Sequence, residues 1–192
     1  METDEKKLIE RASGGDPSAF NRLMAQHENR MYAVALRMCA NREDAQDCLQ
    51  EAMLRVYRAI GSFKGQSTFS TWVYRITMNT CLDELRRKKN RQNTSLDNLV
   101  DMGWSPTDGG AGPEKQALMR EMREKMHGAI RELPDDMRAA VVLRDIQGFS
   151  YDEIAQMLEI NVGTIKSRIS RGREKLREKL KEYSELFDTS DV

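Results

Sequence analysis

Hydrophobic positions in this chain recur at three- and four-residue intervals, and the alternating Val/Ile/Thr runs that mark strands are absent. Asp16 can cap a helix with Pro17 in its first position, and Phe20, Leu23, Met24, Met31, Ala35 and Met38 keep a helical period behind it. Asn41 offers a second cap, with Asp44 in the first turn that follows. Next, Ala45, Leu49, Ala52, Met53, Val56 and Ile60 form one apolar stripe, which Gly61 ends. The same helix sets Asp44, Asp47 and Glu51 on the opposite, exposed face, with Arg55 and Arg58 further along. A polar loop, SFKGQST, leads into a third helix over about 69–87. There Phe69, Trp72, Val73 and Ile76 share one apolar face, while Met78, Cys81, Leu82 and Leu85 drift to another. Arg75, Asn79 and Arg86 make a separate polar stripe.

Residues 93–113 concentrate Gly, Pro, Ser, Asn, Thr and Asp without any apolar period, which is the composition of a flexible linker. It divides the chain into blocks 1–92 and 114–192. The second block predicts helices over about 114–132, 135–147, 151–159 and 162–182, with Pro134 in a turn and Gly148 closing the second helix. The predicted fold class is all-α: two small helical domains joined by a flexible linker.

Within the second block, SYDEIAQMLEINVGTIKSRISRGREKL carries the clearest signature. Ser150 and Glu153 have the spacing of a capping box. A short helix with Ile154, Ala155 and Leu158 precedes a turn, and a second helix buries Ile165, Ile169, Gly172 and Leu176 on one face. Small Ala155 and branched Ile165 let two helices cross closely, as a helix-turn-helix requires. Gly163, Thr164, Lys166, Ser167, Ser170 and Arg171 spread over the exposed remainder, suited to the major groove. Glu159 stands at the turn where many such motifs carry Gly, so the turn is expected to form without a left-handed residue there.

The formal net charge is zero, which taken alone argues against a nucleic-acid partner. Its distribution reverses that. Residues 55–92 carry nine Lys/Arg against two acids, and residues 162–181 carry eight against two. Screening confines each field to about 8–10 Å, so these blocks act as separate basic surfaces. The first follows directly on Phe63, Phe69, Trp72 and Tyr74, in a chain with only five Phe, two Trp and five Tyr. Aromatic faces beside positive charge suit unstacked bases and their phosphates. They equally suit an ordinary core beside a basic tail.

At this point two stretches resemble a known family. EDAQDCLQEAMLRVYRAIGSFKGQSTFSTWVYRITMNTCLDELRRKK is similar to region 2 of bacterial RNA-polymerase sigma factors of the extracytoplasmic-function class. ELPDDMRAAVVLRDIQGFSYDEIAQMLEINVGTIKSRISRGREKLR resembles their region 4, in the family's order. The resemblance implies that Asp44, Asp47, Gln50 and Glu51 dock on the clamp helices of core RNA polymerase. It implies that the −10 promoter element is held as single strand by Phe63, Lys64, Gly65, Gln66, Ser67, Thr68, Trp72, Arg75 and Asn79. Arg86, Arg87, Lys88, Lys89 and Arg91 would then track phosphates. Region 4 would read the −35 element as duplex through Gly163, Thr164, Lys166, Ser167, Arg168 and Arg171. For Phe69 and Trp72 a core role stays open beside the DNA role. The acidic linker, with Asp97, Asp101 and Asp108, would either enter the polymerase cleft or serve as a tether. The resemblance further implies control by an anti-sigma factor.

The competing reading is a stand-alone helix-turn-helix regulator, which needs neither an acidic docking helix nor a single-strand surface. An enzyme is not expected, because no His, Cys or Gly-rich phosphate loop joins Asp44/Asp47 or Asp135/Asp136. Cys39, Cys48 and Cys81 fall in no metal-binding spacing and read as buried small hydrophobes; no cofactor, metal or small-molecule substrate is expected. The polar start METDEKKLIE and the lack of a long apolar run predict a cytoplasmic protein without membrane insertion.

Overall fold

The computed structural model describes residues 2–39, 41–92 and 113–188. Among these the structure is helical throughout, with no strand. The N-terminal half contains α1 (Glu2–Ser13), α2 (Pro17–Ala25), α3 (Glu28–Met38), α4 (Arg42–Ala59) and α5 (Phe69–Gln92). The C-terminal half contains α6 (Pro113–Glu132), α7 (Asp135–Val141), α8 (Tyr151–Leu158) and α9 (Val162–Asp188). The predicted linker, including Asp97, Asp101 and Asp108, lies outside the described residues up to Pro113, as does the side chain of Arg91.

Several caps form where the sequence put them. The Asp16 carboxylate accepts from the amides of Ser18 and Ala19, and the Asn41 side chain accepts from the Asp44 amide. The period starting at Asp16 is broken, however, into α2 and α3 at Gln26–His27. His27 turns inward at the break, where its ring packs on Phe69 at 5.3 Å and Tyr74 at 6.4 Å. No helix was expected before Asp16, yet α1 forms and buries Leu8 and Ala12 against α2. α4 stops at Ala59 rather than Gly61, and a 3₁₀ turn over Ile60–Ser62 takes the chain into the polar loop. α5 outruns its predicted end to Gln92. The three cysteines are free thiols and buried.

The C-terminal half departs from expectation at two turns. The helix predicted over 135–147 becomes π-helical over Val142–Ile146, where one extra residue per turn widens the ladder. Gly148, at φ 79°, closes it. In the helix-turn-helix, Glu159 itself takes the left-handed conformation, φ 55° and ψ 42°, against the expectation that the turn would do without one. Its amide bonds the Ala155 carbonyl, so an ordinary left-handed C-cap forms with a side chain where glycine would carry no strain. Gly172 is needed for another reason: a Cβ there would lie 2.7 Å from Val141 Cγ2, so α9 lies flush on α7.

The two halves pack against each other. α5 packs on α8, and α3 on α6 and α7. Tyr74 meets Phe149 with ring centroids 5.4 Å apart, and the Thr71 hydroxyl donates to Glu153 Oε1 at 3.3 Å. Arg138 crosses the boundary most deeply, donating to the Met38 carbonyl at 2.6 Å.

Two outcomes follow from these features. Relieving the left-handed strain with Glu159→Gly should raise unfolding stability by about 1 kcal/mol in urea melts. The second concerns the histidines. Burial, opposed by Glu5, holds the His27 pKa below its ordinary 6.5. Burial, with Arg37 and Arg131, does the same for His127. Both rings fold neutral, and the unfolded chain takes protons first. Stability should therefore be full above pH 6.5 and fall as pH drops through 6 towards 5. Replacing both histidines with Gln should flatten urea midpoints over that window.

Candidate docking and nucleic-acid surfaces

The charged faces of α4 and α5 neutralise each other more than their spacing suggested. Asp44 was expected on the exposed face; its side chain is only 13% exposed and is ion-paired to Lys88. That pair also removes Lys88 from the set of cations free for phosphate. The cause is the length of α5, whose last turns run back beside the first turn of α4. Glu51 is bound by Arg55 Nε at 2.9 Å, and the same guanidinium reaches Asp83 at 3.0 Å. Both carboxylates push the Arg55 pKa up, Asp83 most. Asp47 and Gln50 remain exposed. Helical spacing puts Leu54, Tyr57 and Arg58 on the same open face, and Leu54 and Tyr57 are 49% and 48% exposed. Neither Leu54 nor Tyr57 was expected on this face, although apolar residues at 54 and 57 interrupt an otherwise polar side.

The loop and α5 divide into a floor and a rim. Phe69 and Trp72 are buried, and Phe63 lies between them with centroids at 5.4 and 5.3 Å. At 8% exposure Trp72 belongs to the core and offers no open face for a base, which corrects its placement in the DNA surface. Thr68 caps α5: its hydroxyl accepts from the Thr71 amide at 3.1 Å. Ser67 is half-buried. Lys64, Gly65 and Gln66 are exposed above the aromatic floor, with Gly65 at φ 69° making the turn. Arg75 and Asn79 are half-buried along the polar stripe, and Arg87 and Arg86 pair with Glu84 at 3.3 Å and Asp83 at 3.7 Å.

In the helix-turn-helix the capping box forms completely. The Ser150 amide and hydroxyl donate to Glu153 Oε2, both at 2.8 Å, and the Glu153 amide returns to the Ser150 hydroxyl. These bonds, the backbone one first, hold the Glu153 carboxyl below its ordinary pKa. On α9, Ile165, Ile169 and Gly172 are buried, while Gly163, Thr164 and Arg171 are exposed with half-buried Ser167 between them. Lys166 and Arg168 flank this face. Lys166 sits over the Tyr151 ring at 6.0 Å, and Arg168 pairs with Asp136 at 3.1 Å. Asn79 and Arg86 from α5 line one cleft of about 870 Å³ with Asp135, Asp136, Glu159 and Arg168.

Sequence comparison accounts for two surfaces on one chain. A model of sigma-70 region 2 matches residues 23–91, and one of sigma-70 region 4 matches residues 123–176. The RNA polymerase sigma-H factor of Pseudomonas aeruginosa is 36% identical over 88% of this chain and 90% of its own length. The ECF RNA polymerase sigma-E factors of Haemophilus influenzae and Escherichia coli are 36% and 35% identical, each over 92% of this chain, 95% and 94% of their own lengths. The chain belongs to the extracytoplasmic-function sigma factors.

Sigma factors are the promoter-recognition subunits of RNA polymerase, so the α8–α9 pair lies in region 4 and the α4–α5 pair in region 2 of this one. Its fold is that of two solved structures. One, the sigma factor RpoE in complex with the anti-sigma factor NepR from Bartonella quintana, has a TM-score of 0.70 at 24% identity, covering 84% of this chain and 96% of that one. The other, CnrH with the cytosolic domain of CnrY, has a TM-score of 0.64 at 23% identity, covering 98% and 99%. Among the described residues no helix of this sigma factor is long and apolar enough to cross a membrane.

Arg138 is the residue of this sigma factor that its sequence least announced. Replacing it with Met removes a buried charged donor from three carbonyls, which should cost roughly 2–4 kcal/mol. Small-angle scattering should then show a larger radius of gyration, with helical content preserved.

Proposed function

We propose that this sigma factor docks on core RNA polymerase through the open face of α4, formed by Asp47, Gln50, Leu54 and Tyr57. Acidic and apolar groups side by side match what a stable protein contact needs: a desolvated apolar centre with a charged rim. Asp44 and Glu51 serve this face indirectly, by holding Lys88 and Arg55. The −10 element is taken as single strand over the loop at Lys64, Gly65 and Gln66, which the aromatic floor holds in place, and continues along Arg75 and Asn79. The −35 element is read as duplex by Thr164, Ser167 and Arg171, with Lys166 and Arg168 gripping phosphates at the flanks. The protein catalyses nothing itself and works in the cytoplasm.

One observation carries this reading. A single chain carries a buttressed loop with exposed Lys64 and a helix-turn-helix with exposed Arg171, beside an α4 face where Asp47 and Gln50 adjoin exposed Leu54 and Tyr57. A stand-alone regulator has no use for the first or the third.

The same reading requires the halves to separate. Promoter elements about 25 base pairs apart lie ~80 Å apart along B-DNA. A compact chain of this length is only about 40 Å across. The 20 residues numbered 93–112 span at most ~70 Å at full extension, enough to let regions 2 and 4 part. The compact arrangement, with Asn79, Arg86 and Arg168 facing into one cleft, is therefore a resting form. An anti-sigma factor would act by holding such a form. The similarity of this fold to RpoE in complex with the anti-sigma factor NepR supports that.

Run-off transcription with core polymerase tests the reading. The protein should support initiation only with core present, and Asp47→Lys should reduce it at least ~10-fold while leaving duplex binding by region 4 intact. Tight duplex binding with no initiation on any template would make the protein a stand-alone regulator instead.

A further inference from the structure

The three cysteines of the chain are far apart in sequence, yet the fold gathers them at one point. Cys39 caps the C-terminus of α3, Cys48 lies in the second turn of α4, and Cys81 lies midway along α5. All are buried, and their three sulfurs lie within 4.8 Å of one another, with Cys39 and Cys48 at 3.5 Å. Packing as small hydrophobes accounts for the burial of each. It gives no reason for all three to converge from three helices.

Coordination does. Metal–thiolate bonds are ~2.3 Å long, so three sulfurs in a plane around one ion stand about 4 Å apart. The cluster has that spacing already, and its ligands come from three rigid elements. Among the described residues no histidine or carboxylate joins it as a fourth donor. Structural zinc takes four ligands in a tetrahedron, whereas soft thiolates without harder partners select copper(I). We propose that Cys39, Cys48 and Cys81 form a three-coordinate thiolate site for a soft monovalent cation, copper(I).

Access agrees with the geometry. Each coordinating thiol gives its proton to solvent as the metal–sulfur bond forms, and no electron is transferred. Cys48 also borders a groove of about 330 Å³ between α4 and α5, lined with Asp47, Glu51, Thr80, Glu84 and Arg87, so one of the three thiols adjoins open space. An ion there would tie the end of α3 to α4 and α5. The site does not depend on the docking and promoter roles proposed above.

The test uses the full-length, reduced, metal-free protein under anaerobic conditions. Copper(I) is presented from a chromophoric copper(I) chelator, and copper K-edge absorption is recorded on the loaded protein. One equivalent per chain, a first shell of three sulfurs and a raised Tm are expected. Cys48→Ser and Cys81→Ser should each weaken competition with the chelator at least ~10-fold, with the helical circular dichroism unchanged. Serine in a core could unfold the chain, so the sulfur count on the unsubstituted protein decides independently. The proposal fails if no copper is taken up, if the shell holds fewer than three sulfurs, or if folded Cys48→Ala binds as well. Tighter retention of zinc(II) than of copper(I) would also overturn the three-coordinate assignment.

Discussion

The carbonyl of Met38 is the point on which the arrangement of this molecule depends. It is the last helical residue of α3, where backbone acceptors lack partners and the helix dipole is negative. Arg138 supplies a guanidinium there at 2.6 Å, from the other half of the chain. The same side chain donates to the carbonyls of Arg131 and Leu133 and pairs with Asp135, so it fixes the α6–α7 turn as well. A cation taken out of water needs such partners, since burial already pulls its pKa down; only its Nε is left without one. The cost of breaking the contact is therefore concentrated in one residue. Tyr74 on Phe149 and Thr71 on Glu153 then set the angle at which α8 meets α5.

Several of the cations in the two basic blocks are tied up in internal ion pairs, so the zero net charge hides which of them stay open. Lys88 is tied to Asp44, Arg55 to Glu51 and Asp83, Arg168 to Asp136, and Arg173 to Asp145. Exposed pairs of this kind contribute little to stability, but they orient long side chains and leave their neighbours as the effective cations. Lys64, Lys89 and Arg171 stand exposed outside these pairs, and the proposed phosphate contacts fall to them. A protein arranged so should respond steeply to salt only after its halves have parted.

Much of this was legible in the sequence. Helical periods placed α4, α5 and α9, and local caps such as Ser150 with Glu153 and Asn41 with Asp44 formed as read, because each needs only residues within one turn. What was not legible depended on contacts distant in sequence. Asp44 lost its exposure to a lysine 44 positions on, and Trp72 became core because Phe63 folded back across it. The break at His27 is set by Phe69 and Tyr74, neither of which a local window contains. The left-handed Glu159 was missed for a different reason. Residue preference gives only the cost of a conformation, and packing of Ile154 and Ile165 on either side of the turn was enough to offset it.

The contact at Gly172 reaches further than its size suggests. Thr164 lies eight residues up the same helix, about 12 Å along its axis. Any side chain at 172 would lever α9 off Val141 at one end, and the other end, proposed to meet the bases, would swing by a comparable distance. Base discrimination depends on hydrogen bonds that tolerate only a few tenths of an ångström. The promoter preference of this protein is thus written partly in its interior, where a change would alter which genes are read without touching any residue that meets DNA.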